Sequence, residues 1–335
     1  MTINNPHYAE NRTLLADVIP LKTPFTIQCE ISQYCNLKCN YCIQSFVVKK
    51  EKVMMDFSVF QSLCQQIKEF GEPLKQFNFA GWGEPLINPR LPRMISLVKE
   101  MGIASNVAVV TNGLLLDMSW TESLVKSGLD HLRISLQGMT SKRYFDVAKK
   151  NMIFDYLVQK IKYFYEHKGQ CQVSIKLADK ELTPSEEMMF YNTFEHISDR
   201  SYIEYIQPIF TDKSTKVISK FGKVHPPVEI CPQPFYMLAI SATGNIIPCC
   251  SYYHPHNPVP AHNIKEDNLK QYWEGQSLYG LRKMLLKSRR KYQKLYPVCK
   301  MCGIPDVCIL PEDDLSSKTI QIKRKLKVLQ NEQSE

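Results

Sequence analysis

The chain has 335 residues, 44% of them hydrophobic, and a formal net charge of +9, which fits a globular protein with one large domain and a smaller one. No run approaches the ~18 apolar residues of a membrane span, and MTINNPHYAENRTLLADVIP at the N-terminus lacks the apolar stretch of a signal peptide. The expected compartment is therefore cytoplasmic, where the 12 cysteines serve metal binding or catalysis rather than disulfides.

Residues 1–24 read as an N-terminal extension. From residue 25, β-branched and aromatic runs alternate with helical patterns, predicting strands over 25–31, 76–81, 106–113, 131–138, 171–177 and 201–208. Over 56–70, Phe57, Phe60, Leu63, Cys64, Ile67 and Phe70 recur at helical spacing, with Asp56 as N-cap and Gly71 as stop. SWTE at 119–122 and TPSE at 183–186 fit capping boxes, the second with Pro184 at the first helical position. Gly102 and Gly128 stand where helix C-caps fall. Six strand–helix repeats argue for an α/β fold with a parallel sheet, whose functional loops lie at the carboxyl ends of the strands. Cys29, Cys64 and Cys171 lie within these patterns and are expected in the core.

Beyond residue 208 the alternation stops. The polar stretch 211–230, ending in Pro226-Pro227, reads as a linker. A cysteine-rich segment follows over 231–310, then a charged tail over 311–335 that predicts a helix fraying at its end. RKMLLKSRRKYQK at 282–294 holds seven basic residues. It reads as a solvated helix face, or as a docking surface for an acidic partner or a phosphorylated substrate. No helix-turn-helix, finger or RNP pattern accompanies it, so a nucleic-acid partner is not expected.

CNLKCNYC puts Cys35, Cys39 and Cys42 directly after the first strand. Three thiolates leave a coordination position open, unlike the four closed ligands of structural zinc. This C-x3-C-x2-C resembles the signature of the radical S-adenosylmethionine (SAM) enzymes. Later pieces resemble the same family in the same order: GWGEP at 81–85, TNG at 111–113 and SLQG at 135–138, each ending a strand. The resemblance covers roughly 25–208. It implies a partial (β/α)6 parallel barrel with Cys35, Cys39 and Cys42 on three irons of a [4Fe–4S] cluster and SAM on the fourth. It further implies SAM contacts from Tyr41, Gly83, Glu84, Thr111, Asn112, Gly113 and Ser135. Members often carry an arginine where this chain has Ala148, with Lys149 and Lys150 beside it.

The segment C-x12-G-x4-C, Cys231 to Cys249, followed by Cys299, Cys302 and Cys308, resembles the family's SPASM extension. Glu312 stands where the next cysteine of the full pattern belongs, so the set looks closer to the half-size twitch variant with one auxiliary [4Fe–4S] cluster. The resemblance implies Cys231, Cys249, Cys299 and Cys302 as its ligands; a zinc ribbon on the same thiolates is the alternative. AISATGNIIPCC predicts a hairpin turning at Thr243-Gly244-Asn245. The segment from Asn263 onward is similar to that of dehydrogenases acting on the aminocyclitol 2-deoxy-scyllo-inosamine. His254, His256 and His262 lie in a Pro- and Asn-rich stretch that reads as a surface loop.

The chemistry implied is hydrogen-atom abstraction by a 5′-deoxyadenosyl radical. For an alcohol carbon, loss of a proton and passage of one electron to the auxiliary cluster then give a ketone. The expected substrate is a small molecule, sugar-like or phosphorylated, and the expected electron donor an acidic flavodoxin or ferredoxin. Peptide modification is the first alternative. Epimerisation is another, with Cys250 as hydrogen donor. A non-catalytic iron–sulfur or zinc protein would have no use for the SAM-facing pieces.

Overall fold

The structure, a computed structural model, describes residues 12–45, 52–179, 181–206, 217–218, 224–225, 228–250, 262–289, 299, 302–308 and 310–332. All six predicted strands form: β1 Thr26–Cys29, β2 Gln76–Phe79, β3 Val107–Thr111, β4 His131–Leu136, β5 Gln172–Ala178 and β6 Arg200–Glu204. They pair in parallel in chain order, as βαβ crossovers require. The helices between them include α2 Phe57–Lys68, α4 Met118–Lys126, α5 Ser141–Ala148 and α7 Pro184–Phe194.

One face of each of β1 to β5 is apolar and fully buried under these helices. Ile27, Phe77, Phe79, Leu132, Ile134, Val173 and Ile175 are all inaccessible, and Phe60 of α2 meets Phe77 and Phe79 at centroid distances of 5.9 and 5.7 Å. The other face is mostly polar, with Gln28, Asn78, His131, Arg133, Ser135, Ser174, Lys176 and Glu204 around the apolar Ala108 and Val110 of β3. Period-two alternation makes this two-faced strand. Cys29, Cys64 and Cys171 are core residues, each 0% exposed.

Two caps differ in detail. Thr183 forms the expected capping box with Glu186, whereas the cap of α4 lies two residues before Ser119, at Asp117, whose side chain accepts from Trp120 N–H. Asp117 wins because its carboxylate reaches the free N–H groups of the first turn.

The largest departure is at the sheet edge, which carries eight strands rather than six. Residues Met237–Ile240 (β9) pair in parallel with β1, and Ile246–Ile247 (β10) fold back antiparallel on β9 through the predicted hairpin, with Gly244 at φ 91°. Every residue of β9 is buried. The cysteine-rich segment is thus seated in the same sheet. Within the stretch read as linker, Val217–Ile218 and Val224–His225 pair as two short antiparallel strands. The tail forms its helix, Thr319–Glu332.

Candidate functional site

The cysteine loop leaves β1 at Glu30 and is clamped by its neighbours. Gln33 N–H donates to Val53 C=O and Met55 N–H to Ile31 C=O, both at 2.9 Å. Its far half docks on the end of α5, where Lys38 and Asn40 N–H donate to Ala148 and Val147 C=O at 2.9 and 2.8 Å. Leu37 and Cys39 pack on Ala148, with Cys35, Tyr41, Cys42 and Leu114 around them. Ala148 is fully buried, so this position supports the loop and supplies no cation. Lys149, left-handed at φ 53°, spends its ammonium on Asp146 C=O at 3.1 Å.

Burial pushes all three loop thiols up, Cys39 to about 12, and Cys39 is raised further by Cys42 and Cys35. Three thiolates this close repel one another. A positively charged iron core would turn that repulsion into binding, so the donor set fits a cluster.

The other motifs gather at the same end of the sheet. A Cβ on Gly83 would stand 1.9 Å from Ser32 O and 2.9 Å from Tyr34 O, so only glycine permits this approach to the cysteine loop. Glu84 N–H donates to Tyr34 C=O at 2.7 Å. The Glu84 carboxylate points inward, accepting from Thr111 Oγ1 at 2.6 Å, Asn112 N–H at 2.8 Å and Leu86 N–H at 3.0 Å. Burial raises its carboxyl, against these donors. Asn112 donates to Asn36 Oδ1 at 2.7 Å, and its amide nitrogen lies 4.0 Å from Cys35 Sγ. Gly113, at φ 74°, closes this turn. Tyr41 hydrogen-bonds the Gln137 amide, which in turn donates to Ser135 C=O at 3.0 Å. Ser135 is the register partner of Lys176, and Lys176 pairs with Glu204.

The second thiol group also assembles. After burial, Cys231 is raised by Cys302 and Cys299, and Cys249 by Cys250, Cys231, Cys299 and Cys302; Cys299 reaches about 12. Four thiols spread along the sequence therefore share one neighbourhood. Among the described residues no three His, Cys, Asp or Glu side chains form a single-ion cage; the thiols are neighbours, not a closed shell. Cys250 stands beside Cys249, its Sγ 3.4 Å from Gln233 Oε1. The partly buried Tyr236 phenol is raised by desolvation first, then by Asp313, Cys250, Cys231 and Cys308.

The basic stretch is a solvated face only in part over its described residues: Lys283 and Lys287 are exposed, but its arginines turn inward. Arg282 and Arg289 are 7% and 1% exposed. Arg282 lies 4.0 Å from the Trp273 ring centroid and donates to Pro234 and Trp273 C=O, both at 2.9 Å; burial lowers its pKa to about 9. Residues 290–294, and His254 and His256, lie outside the described residues. His262 pairs with Asp267 at 3.3 Å beside the Tyr272 ring.

Residues 29–176 match the radical SAM superfamily, and 231–303 match the SPASM iron–sulfur cluster-binding domain. The chain carries a radical SAM domain followed by a SPASM domain. The first binds a [4Fe–4S] cluster and SAM, the second auxiliary iron–sulfur clusters. A PqqA peptide cyclase of Gluconobacter oxydans is 31% identical over 117 residues, 35% of this chain and 31% of that one. The tungsten-containing aldehyde ferredoxin oxidoreductase cofactor-modifying protein of Pyrococcus furiosus is 22% identical over 83% of this chain and 87% of its own length. Among solved structures, Streptococcus suis SuiB bound to SAM aligns at TM-score 0.62 and 18% identity over 88% of this chain and 74% of that one. BtrN in complex with AdoMet and 2-DOIA aligns at TM-score 0.56 and 19% identity over 87% and 97%. These structural likenesses show the fold. No helix among the described residues is long and apolar enough to cross a membrane.

Reading the sequence did not single out Glu30, Asn36, Gln137 or Arg289. Glu30 is 3% exposed and accepts from Trp82 N–H at 3.1 Å, tying GWGEP to β1. Its one signal was an acid at the carboxyl end of a strand. Asn36 and Gln137 sit inside quoted motifs as spacer residues, and Arg289 was one basic residue among seven.

Proposed function

We propose that this protein is a radical SAM dehydrogenase that oxidises an alcohol carbon of a sugar- or aminocyclitol-like substrate, with one auxiliary cluster accepting the electron. Cys35, Cys39 and Cys42 would hold the SAM-binding cluster, and Cys231, Cys249, Cys299 and Cys302 the auxiliary one. Bound together, the first cluster and SAM supply a 5′-deoxyadenosyl radical. The chain's own part is to place the substrate carbon and exclude water. Tyr41, Gly83, Thr111, Asn112, Gly113 and Ser135 would frame SAM, while Glu84 acts as a positioning residue by tying the turn after β3 to GWGEP. The observation that carries the reading is that Cys231 and Cys249 flank a hairpin whose first strand, Met237–Ile240, pairs directly with β1, within one sheet. An electron acceptor held on the same sheet as the radical site suits a reaction that removes electrons. The polar inner face, with Gln28, Asn78, Lys176 and Glu204, suits a hydroxyl-rich ligand. Exposed Lys38 on the cysteine loop and Lys149 beside its docking point on α5 offer an acidic flavodoxin or ferredoxin a complementary surface.

The test is anaerobic turnover with SAM and a panel of polyols and aminocyclitols deuterated at the carbinol carbon. The expected result is deuterium in 5′-deoxyadenosine and a ketone product. Replacing Cys231 or Cys299 by Ala should abolish ketone while SAM cleavage continues. Peptide modification is the second reading, favoured by the match to a peptide cyclase. Turnover stimulated by peptides and by none of the polyols would overturn the first reading for the second.

A further inference from the structure

We infer that Arg289 and Asp306 set the reduction potential of the auxiliary cluster, Arg289 making it the better electron acceptor. The inference rests on the reading that Cys231, Cys249, Cys299 and Cys302 hold that cluster, and it deepens the oxidative assignment. Arg289 is 1% exposed, and each nitrogen of its guanidinium donates a hydrogen bond. Nε donates to Val228 C=O at 2.5 Å, Nη1 to Cys302 C=O, and Nη2 to Asp306 Oδ2 at 2.6 Å. Its own N–H donates to Glu229 C=O at 3.0 Å. The other oxygen of Asp306 accepts from Val228 N–H at 2.5 Å. One side chain therefore joins the strand of chain just ahead of Cys231 to the carbonyl of Cys302, across the gap between the two halves of the thiol group.

Its charge acts on the same thiols. The guanidinium counters burial at both Cys231 and Cys299. A cluster on four thiolates is anionic and becomes more so when it gains an electron. Net charge and hydrogen bonds near the sulfurs govern such potentials, and in a buried site water screens them little. A cation touching a ligand residue's own carbonyl therefore stabilises the reduced cluster. Asp306, bonded to the far side of that cation, partly offsets it. Arginine suits the place because it stays protonated and its planar fork reaches three acceptors at once.

The test uses the full-length chain with Cys35, Cys39 and Cys42 replaced by Ala, so that one cluster is observed. Iron content should be about four per chain; a parent without that iron would overturn the ligand assignment, a separate failure. Midpoint potentials then follow from redox titration monitored by electron paramagnetic resonance. Arg289→Gln should lower the potential enough to change the reduced-to-oxidised ratio about tenfold, about 59 mV for one electron. Arg289→Lys should recover most of that shift, and Asp306→Asn should move the potential upward. A purely structural role would lower iron content without shifts of opposite sign. Should Arg289→Gln fail to hold iron, Asp306→Asn decides: an upward shift supports the inference. An unmoved or lowered potential in an iron-replete Asp306→Asn protein, or an unmoved one in Arg289→Gln, overturns it.

Discussion

Gly83 shows how little room separates the two loops of the radical SAM site. Its missing Cβ would meet backbone oxygen at 1.9 Å, and backbone cannot swing aside as a side chain can. Gly83→Ala should therefore displace the cysteine loop, costing about 1–3 kcal/mol or more. Iron content after reconstitution and the apparent Tm should both fall. Glu84 accepts three hydrogen bonds with its two oxygens. Glu84→Gln leaves at least one donor facing an amide, at a cost of about 1–3 kcal/mol. SAM affinity should drop further than iron loading, measured by equilibrium binding against iron assay. Equal SAM affinity would remove Glu84 from the site. His131 gives a pH signature: burial first, then Arg133 and Arg200, lower its pKa from 6.5 to about 3, while its ring bonds Ser174 Oγ at 2.7 Å. The unfolded chain takes up a proton below 6.5 that the folded one refuses, so this contribution is present above pH 6.5 and lost towards pH 3. Stability should fall by at most about 1.4 kcal/mol per pH unit through this group. His131→Gln should flatten the acid limb of a plot of Tm against pH.

At the scale of elements, α5 is the support on which the cysteine loop rests. Its last residue, Ala148, is 0% exposed and carries Leu37 and Cys39. Restoring the arginine common at this position in the family should therefore harm rather than help. Ala148→Arg forces a long charged side chain beneath the loop, and iron bound at Cys35, Cys39 and Cys42 should fall while the auxiliary iron stays. Retention of both clusters would show that the loop can rise to make room. Cap placement was only partly legible: TPSE carried its full box in the local text, whereas at α4 two competing polar residues lay two positions apart and geometry chose Asp117.

At the scale of the molecule, the segments that carry the two thiol groups share one sheet, while Cys231 and Cys299 pack on the main core and the three loop cysteines on a small cluster around Ala148. Trp273 Nε1–H donates to Leu21 C=O at 2.8 Å, and Gln66 of α2 bonds both Ile264 C=O and Leu269 N–H at 2.8 Å. A chain ending at residue 206 would expose β1 as an open edge and uncover the apolar surface beneath β9, so it should be insoluble. Intact protein should unfold in one transition, coincident by far-ultraviolet circular dichroism and tryptophan fluorescence. Reconstitution should load about eight irons as two four-iron clusters, and the Cys35/Cys39/Cys42→Ala protein about four. Zinc at the second site would contradict this.

The parallel strands, their order and the rim they share follow from the text alone, because period-two runs separated by helical patterns admit few arrangements. Cysteine spacing and the strand-end motifs marked the radical SAM site for the same local reason: each piece lies within a few residues of a strand end. What only the tertiary structure decided is long-range. Met237–Ile240 is four apolar residues, too short to declare its partner, and pairing with β1 was selected by the open edge it covers. Arg289 reads as one of seven basic residues until folding buries it against Asp306 and Cys302. Burying a guanidinium is favourable only when partners from distant segments meet it, and nothing in the neighbouring residues of RKMLLKSRRKYQK records that they will.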